Sequence, residues 1–294
     1  MAKFASAERQ AASVMKAVQG TVLRSVGTVR NYEAALTHVA AWAKAERIDG
    51  GLRAMSVEQA IGYLEQRGEM VGQKALDMER QAIQCMFQHV TGRLAPDARL
   101  PVVKSEQAQV LASRAYTPEQ VQRVADAQTK GNALATEIAH AAGLRAHELL
   151  TLVPAGERAA DARPALESKF QGRDGVLYTV EGKGGLCREV LIPSPLAQRL
   201  EAVRLDSPQR VTDRGIHYTQ RYDLAGGQRW SNSYSAASTR ALGWSAGAHG
   251  VRHSYAQERM GELQRDGLSR EQALETVSQE MGHFRPEITE TYLR

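Results

Sequence analysis

Only two cysteines, Cys85 and Cys187, occur in 294 residues. That is too few for a disulfide framework and fits a reducing cytoplasm. No stretch approaches the roughly 20 consecutive apolar residues that a membrane-spanning helix needs, so no membrane partner is expected. The opening Met1-Ala-Lys-Phe-Ala-Ser-Ala-Glu-Arg-Gln has no apolar core after its lysine, which argues against a secretory signal. No block of like charge marks a disordered basic tail, and no internal repeat or low-complexity tract is evident. What remains is an ordinary globular composition, 43% hydrophobic and 24% charged, in a chain long enough for two domains with a core each. The net charge of +4 permits a polyanionic partner without requiring one, because many proteins carry as much and touch no nucleic acid.

The first third reads as a small helical bundle. Tyr32, Leu36, Val39 and Ala43 share one face at helical spacing in a run that starts at Thr28. Ser56-Val-Glu-Gln59 is a capping box opening a second helix with Ile61 and Leu64. A third amphipathic run, about Gln73 to Val90, turns Leu76, Ile83, Phe87 and Val90 inward. From Leu94 to about Ala115 the periodicity fades around Pro96 and Pro101, as in an interdomain linker. The expected domains are therefore 1–108, its linker starting near 94, and 115–294.

The second domain opens at Thr117-Pro-Glu-Gln120, a capping box with proline at the first helical position. A helix from about Asn132 to Ala142 follows, with Gly143 suited to its left-handed cap. The only clear β signal is Val176, Tyr178 and Val180 at period two, the turn Gly182-Lys-Gly-Gly185, then Val190 and Ile192. Ser194-Pro195 starts another helix, and 207–247 shows little periodicity. Helices are expected near His249–Met260 and Ser269–Met281, and Pro286 starts a short last one holding Tyr292.

Four short patterns in this domain have the residue types that phosphoryl transfer requires. In Gly143-Leu-Arg-Ala-His-Glu148, Arg145 follows a glycine cap at a helix start, where the helix dipole would help its planar fork meet a phosphate. Glu148 is spaced to hold that guanidinium, although an i,i+3 Arg–Glu pair is also an ordinary surface feature. Lys183 sits on a small-residue turn, from which it can donate a proton to a leaving alkoxide or simply be solvated. His249 and Arg252 lie one helical turn apart, joining a proton-exchanging ring to a fixed charge, with His253 directed elsewhere as a structural residue. Met281-Gly-His283 ends a helix nine residues before Tyr292.

Together, and in this order, these patterns resemble the signature of the tyrosine recombinase, or phage integrase, family. That signature runs G-L-R-x-x-E-L, a hairpin lysine, H-x-x-R, L-G-H and a nucleophilic tyrosine nine residues on. Arg145, Lys183, His249, Arg252, His283 and Tyr292 match its six polar positions, with Glu148 in support. The resemblance covers about Ala115 to Arg294, while the first domain is similar to the family's core-binding domain in size, position and helical pattern. It implies a mainly α fold with a small β-hairpin or sheet: a helical core-binding bundle followed by a mixed α/β catalytic domain. It further implies a site-specific recombinase or integrase that makes a 3′-phosphotyrosyl bond to double-stranded DNA, using no metal, ATP or other cofactor. Strand exchange would occur in a homotetramer on paired sites, formed from cytoplasmic, nucleoid-associated monomers. Arg24, Arg30, Lys74 and Arg80 are candidate DNA contacts, which solvated helix faces explain equally well.

Three departures stand out. Met281 replaces the commoner leucine; the stretch from Arg252 to His283 is long, as if extended by a turn near Gly261–Leu268; and only two residues follow Tyr292, where the family continues into a segment that docks on a neighbouring protomer. A type IB topoisomerase shares the chemistry, and an inactive DNA-binding protein of the same fold shares the shape. A helical scaffold with chance motif matches would not bind DNA.

Overall fold

The computed structural model describes residues 5–108 and 112–294. The first four residues, part of the segment read for a secretory signal, lie outside the described residues, as do 109–111 of the expected linker. The chain divides into two compact units, Met1–Val110 and Leu111–Arg294.

The first unit holds α1 (Ala7–Val18), α2 (Val26–Ala45), α3 (Val57–Gly68) and α4 (Gln73–Met86), the last running into a π turn at Phe87–Thr91. The Ser56–Gln59 capping box forms at the head of α3 with both reciprocal hydrogen bonds. Leu36, Val39 and Ala43 on α2 and Leu64 on α3 enter the core with Leu76, Ile83 and Phe87, whereas Tyr32, Ile61 and Val90 are half-buried. α1 adds a helix that the periodicity leaves unassigned, packing Ala11, Val14, Met15 and Val18 inward. The start of the expected linker is not free chain. Leu100 is buried and its N–H donates to Gln84 Oε1 at 3.1 Å, while Ser105 Oγ donates to the Val71 carbonyl at 2.7 Å. Buried polar partners, invisible to hydrophobic periodicity, fasten this irregular stretch to the bundle.

The second unit begins with α5 (Pro118–Asp126) and α6 (Lys130–Ala141), then a 3₁₀ turn at Glu148–Leu150. Strands β1 (Val153–Pro154), β2 (Val176–Glu181) and β3 (Cys187–Ile192) form an antiparallel sheet in that order, with Tyr178 opposite Val190. After α7 (Ser194–Glu201), strands β4 (Arg204–Asp213) and β5 (Ile216–Tyr222) make a second hairpin. Helices α8 (Gly227–Leu242), α9 (Gly250–Arg265), α10 (Arg270–Glu280) and α11 (Pro286–Thr289) follow, and a 3₁₀ turn at Glu290–Tyr292 ends the fold. The architecture is mainly α with two small antiparallel sheets.

One stretch without an assignment is filled here, and one expectation needs correcting. The aperiodic 207–247 contains the β4–β5 hairpin and α8; most of the hairpin is exposed on both faces, so no apolar alternation marks it. Its real signal is the two-residue turn Arg214-Gly215, with φ of 49° and 80°, the geometry of a type I′ hairpin turn. The long Arg252–His283 stretch is not an extended turn: α9 continues through Gly261 to Arg265. The core joins Tyr178, Val180, Val190 and Ile192 of the sheet to Trp230 and Tyr234 of α8. A second cluster packs Tyr255 and Leu263 of α9 against Val277, Met281 and Tyr292. Met281 is fully buried there, as an apolar stand-in for leucine should be. Among the described residues no helix is long and apolar enough to cross a membrane.

Candidate active site

Gly143 ends α6 at φ +59°, and a Cβ there would lie 2.6 Å from the Tyr255 ring, so glycine is required twice over. The chain then turns sharply and delivers Arg145. No α-helix follows it, only the three-residue 3₁₀ turn at Glu148–Leu150, so the helix dipole expected to assist Arg145 is missing. Its orientation comes from Glu148, whose Oε1 accepts from Arg145 Nη1 at 2.8 Å and whose Oε2 accepts from the Arg145 backbone N–H at 2.8 Å.

Glu148 is fully buried and surrounded by guanidinium groups. Arg188 Nη2 donates to Oε2 at 2.8 Å, and Arg252 Nη1 lies 3.9 Å from the same oxygen. Desolvation pushes this carboxyl up, but Arg188, then Arg252 and Arg145, outweigh it and hold its pKa at about 2. One carboxylate thus stands against three cations.

Lys183 is at the tip of the β2–β3 hairpin, where Gly184 and Gly185 both take positive φ. Its neighbour Gly182 is close to the cluster: a Cβ there would lie 3.3 Å from Glu148 Oε1 and 3.9 Å from Arg145 Nη1. The Lys183 side chain itself is exposed. The hairpin brings its root, not its ammonium, to the other residues.

His249 caps α9, and Arg252 lies one turn on, fully buried. Arg252 donates through Nη1 to the Gly143 carbonyl and through Nη2 to the Met281 carbonyl. Nη2 also meets His283 Nε2 at 3.1 Å. An arginine only donates, so His283 accepts at Nε2 and its Nδ1–H donates to Thr289 Oγ1 at 3.0 Å, which fixes the tautomer. Arg252 Nε is buried and finds no acceptor among the described residues.

Tyr292 closes this cluster. Its ring is 5.4 Å from His249, 4.7 Å from His253 and 5.0 Å from His283, and Arg252 Cζ stands 5.7 Å from its centroid. His253, taken from the sequence as a structural residue directed elsewhere, is the ring nearest to Tyr292. One residue after Arg252 it turns about 100° around the helix, toward the side where the last 3₁₀ turn lies.

All three histidines are held neutral at pH 7. Desolvation, then Arg252, Arg145 and Arg188, lower His283 to about 3. Desolvation, then Arg114, lowers His253 to about 4. Desolvation of its inner face, then Arg252, His253, Arg114 and Arg145, brings His249 to about 4, though its outer edge remains exposed. Burial and Arg145 likewise pull Arg252 down to about 10, still cationic at neutral pH.

In the first unit Arg24, Arg30 and Lys74 are exposed. Arg80 is half-buried, donating to the Leu100 carbonyl at 3.3 Å with Asp77 Oδ1 3.7 Å away, so it is less available than the other three. In the second unit sequence reasoning misses Arg188 and the direction of His253, whose ring faces Tyr292. Arg188 left a signal: it stands in register with the inward-facing Val190 and Ile192 of β3. A charge at an inward strand position needs a buried partner.

No protein-family model and no curated protein matches this sequence. Solved structures do match. A XerH site-specific recombinase bound to a palindromic difH substrate in a post-cleavage complex aligns at 12% identity and a TM-score of 0.56, covering 98% of this chain and 90% of that one. A lambda integrase dimer bound to a COC′ core site aligns at 14% identity and a TM-score of 0.59, covering 97% of this chain and 76% of that one. The Tn1549 transposon integrase in complex with transposon right end DNA aligns at 14% identity and a TM-score of 0.55, covering 99% and 95%. Across nearly its full length, the chain has the fold of the tyrosine recombinases and integrases.

Proposed function

We propose that this chain is a tyrosine recombinase that cuts and rejoins double-stranded DNA. The observation that carries the reading is the charge imbalance at Glu148: three guanidinium groups face one carboxylate, beside a tyrosine ringed by three neutral histidines. A phosphodiester supplies the missing negative charge. It also supplies an acceptor for the orphaned Arg252 Nε–H, which otherwise costs about 1–3 kcal/mol.

In this reading the Tyr292 hydroxyl attacks the phosphorus, forming a 3′-phosphotyrosyl bond as the bond to the 5′-oxygen breaks. A free tyrosine has a pKa near 10, so the attack needs a proton acceptor. His249, neutral and open to solvent on one edge, takes that proton, and the incoming phosphate opposes the cations that lower its basicity. Arg145 and Arg252 hold the non-bridging oxygens, where charge develops. Lys183 swings in on its glycine turn to protonate the departing 5′-oxygen. His283, oriented by Thr289 and Arg252, donates no proton at Nε2 in the free form and receives one only once the phosphate has arrived. Tyr292 is only 8% exposed and lies over Arg252, so the last 3₁₀ turn must lift to admit DNA. Rejoining reverses the step with the 5′-hydroxyl of a second site, in a tetramer assembled from free monomers. The first unit contacts the duplex through Arg24, Arg30 and Lys74.

The test is a pool of randomised, nicked duplexes incubated with the protein in EDTA and run on a denaturing gel. A covalent adduct should form, its DNA should sequence to a defined site, and Tyr292→Phe should abolish it while DNA binding persists. Junction intermediates from two such sites separate recombination from simple strand relaxation.

A further inference from the structure

Arg188 is a buried cation of the second unit to which the proposed chemistry gives no step of its own. Its side chain is 3% exposed, and its guanidinium spans two elements. Nη2 donates to Glu148 Oε2 at 2.8 Å, and Nη1 donates to the Glu280 carbonyl at 2.6 Å. The next carbonyl, that of Met281, accepts from Arg252. Two buried arginines therefore cap consecutive carbonyls at the C-terminus of α10, where a positive charge is favoured.

The following residue is built around the same side chain. Gly282 takes φ +70°, and a Cβ there would lie 2.5 Å from Arg188 Cδ and 3.0 Å from its Nε. The glycine of Met281-Gly-His283 thus makes room for Arg188 as well as ending the helix. On the other side, Glu148 binds Arg145 through its second oxygen. A continuous chain runs from Arg145 through Glu148 and Arg188 to the end of α10, two residues from Gly282 and three from His283.

We propose that Arg188 is a positioning residue: it locks the Glu148 carboxylate between Arg145 and Arg252 and ties that trio to the helix end that presents His283. This rests on the recombinase reading. Without Arg188, Oε2 of Glu148 keeps the Arg145 backbone N–H but loses its charged donor, so the carboxylate is held from one side only and Arg145 loses part of its aim. A misplacement of about 1 Å at a reacting centre costs on the order of 100-fold in rate.

The experiment uses a duplex trapped by the wild-type chain and measures single-turnover adduct formation against pH, DNA affinity and thermal melting for Arg188→Met and Arg188→Lys. Adduct formation by the wild type and its loss in Tyr292→Phe settle the underlying reading separately. For Arg188→Met the rate should fall about 100-fold with unchanged DNA affinity. Its acid limb should also move to higher pH, because Glu148 then keeps only Arg145 and Arg252, with the neutral His147 and His283 nearby, against its desolvation. Arg188→Lys keeps the charge but not the two-acceptor span, so it should restore the acid limb and only part of the rate. If Arg188→Met does not fold, the lysine variant decides alone by its rate at unchanged affinity. A folded variant that cleaves at the wild-type rate overturns the proposal. So does a loss that follows the folded fraction with no change in the acid limb.

Discussion

The first unit buries Glu79 and the second buries Glu148 as well as Glu280, and Glu79 and Glu148 are satisfied very differently. In the first unit Glu79 accepts from Tyr63 Oη at 2.7 Å and from Arg67 through both Nε and Nη2, one cation for one anion. In the second, Glu148 faces Arg145, Arg188 and Arg252, the Nε atoms of Arg188 and Arg252 are buried without acceptors among the described residues, and three uncharged histidines stand nearby. A balanced pair closes on itself and serves the fold. An unbalanced one stores an affinity for an anion from outside, and the excess charge, more than any single residue, is what supports placing the proposed chemistry in the second unit.

The sharpest way to break this contrast is to remove the excess. Arg145→Ala and Arg252→Ala should each slow adduct formation by about 10²–10³-fold, the scale of losing one donor to a developing oxyanion. Rates measured per folded molecule, with the folded fraction from circular dichroism, check this. Equal rates in variant and wild type would mean that the excess is not there for the phosphate.

Acidification should act on the reactive unit next. An unfolded histidine titrates near 6.5, whereas His253 and His283 are held at about 4 and about 3 in the fold. The folded form therefore binds fewer protons than the unfolded one as pH falls through that window, so stability is full above it and drops below about 6.5. From about pH 7.5 to about 5.5 each of these two should cost on the order of 1 kcal/mol, and His249, open to solvent, less. A bound duplex should reduce the loss, because its phosphates favour the protonated rings. Melting curves across this range, with and without DNA, make the comparison.

The smallest effect belongs to the balanced pair. Glu79→Ala should lower stability by about 1–2 kcal/mol through the half-buried Arg67 and the Tyr63 hydroxyl it strands. Urea melts would show this, and cleavage per folded molecule should not change. A large loss of cleavage there would erase the distinction between the two networks.

How much of this was legible in the sequence follows the same division. Capping boxes at Ser56 and Thr117 read directly, because their chemistry is local and each forms in the structure. The fold class and five converging side chains were legible because the motif spacing is carried by short elements. Of Arg188 only the inward strand position is legible; its partners are 40 and 92 residues away and no local pattern names them. His253 was misjudged because helical spacing gives an angle, not the position of the 3₁₀ turn that comes to meet it. The β4–β5 hairpin escaped because a strand exposed on both faces has no apolar period.

The proposed chemistry depends most on where the DNA becomes attached. Digesting the trapped, denatured complex and mapping the nucleotide-bearing peptide by mass spectrometry should give one modified residue, Tyr292, with the 3′-phosphate on its phenol. A nucleotide on any other side chain, or an adduct that survives in Tyr292→Phe, would contradict it.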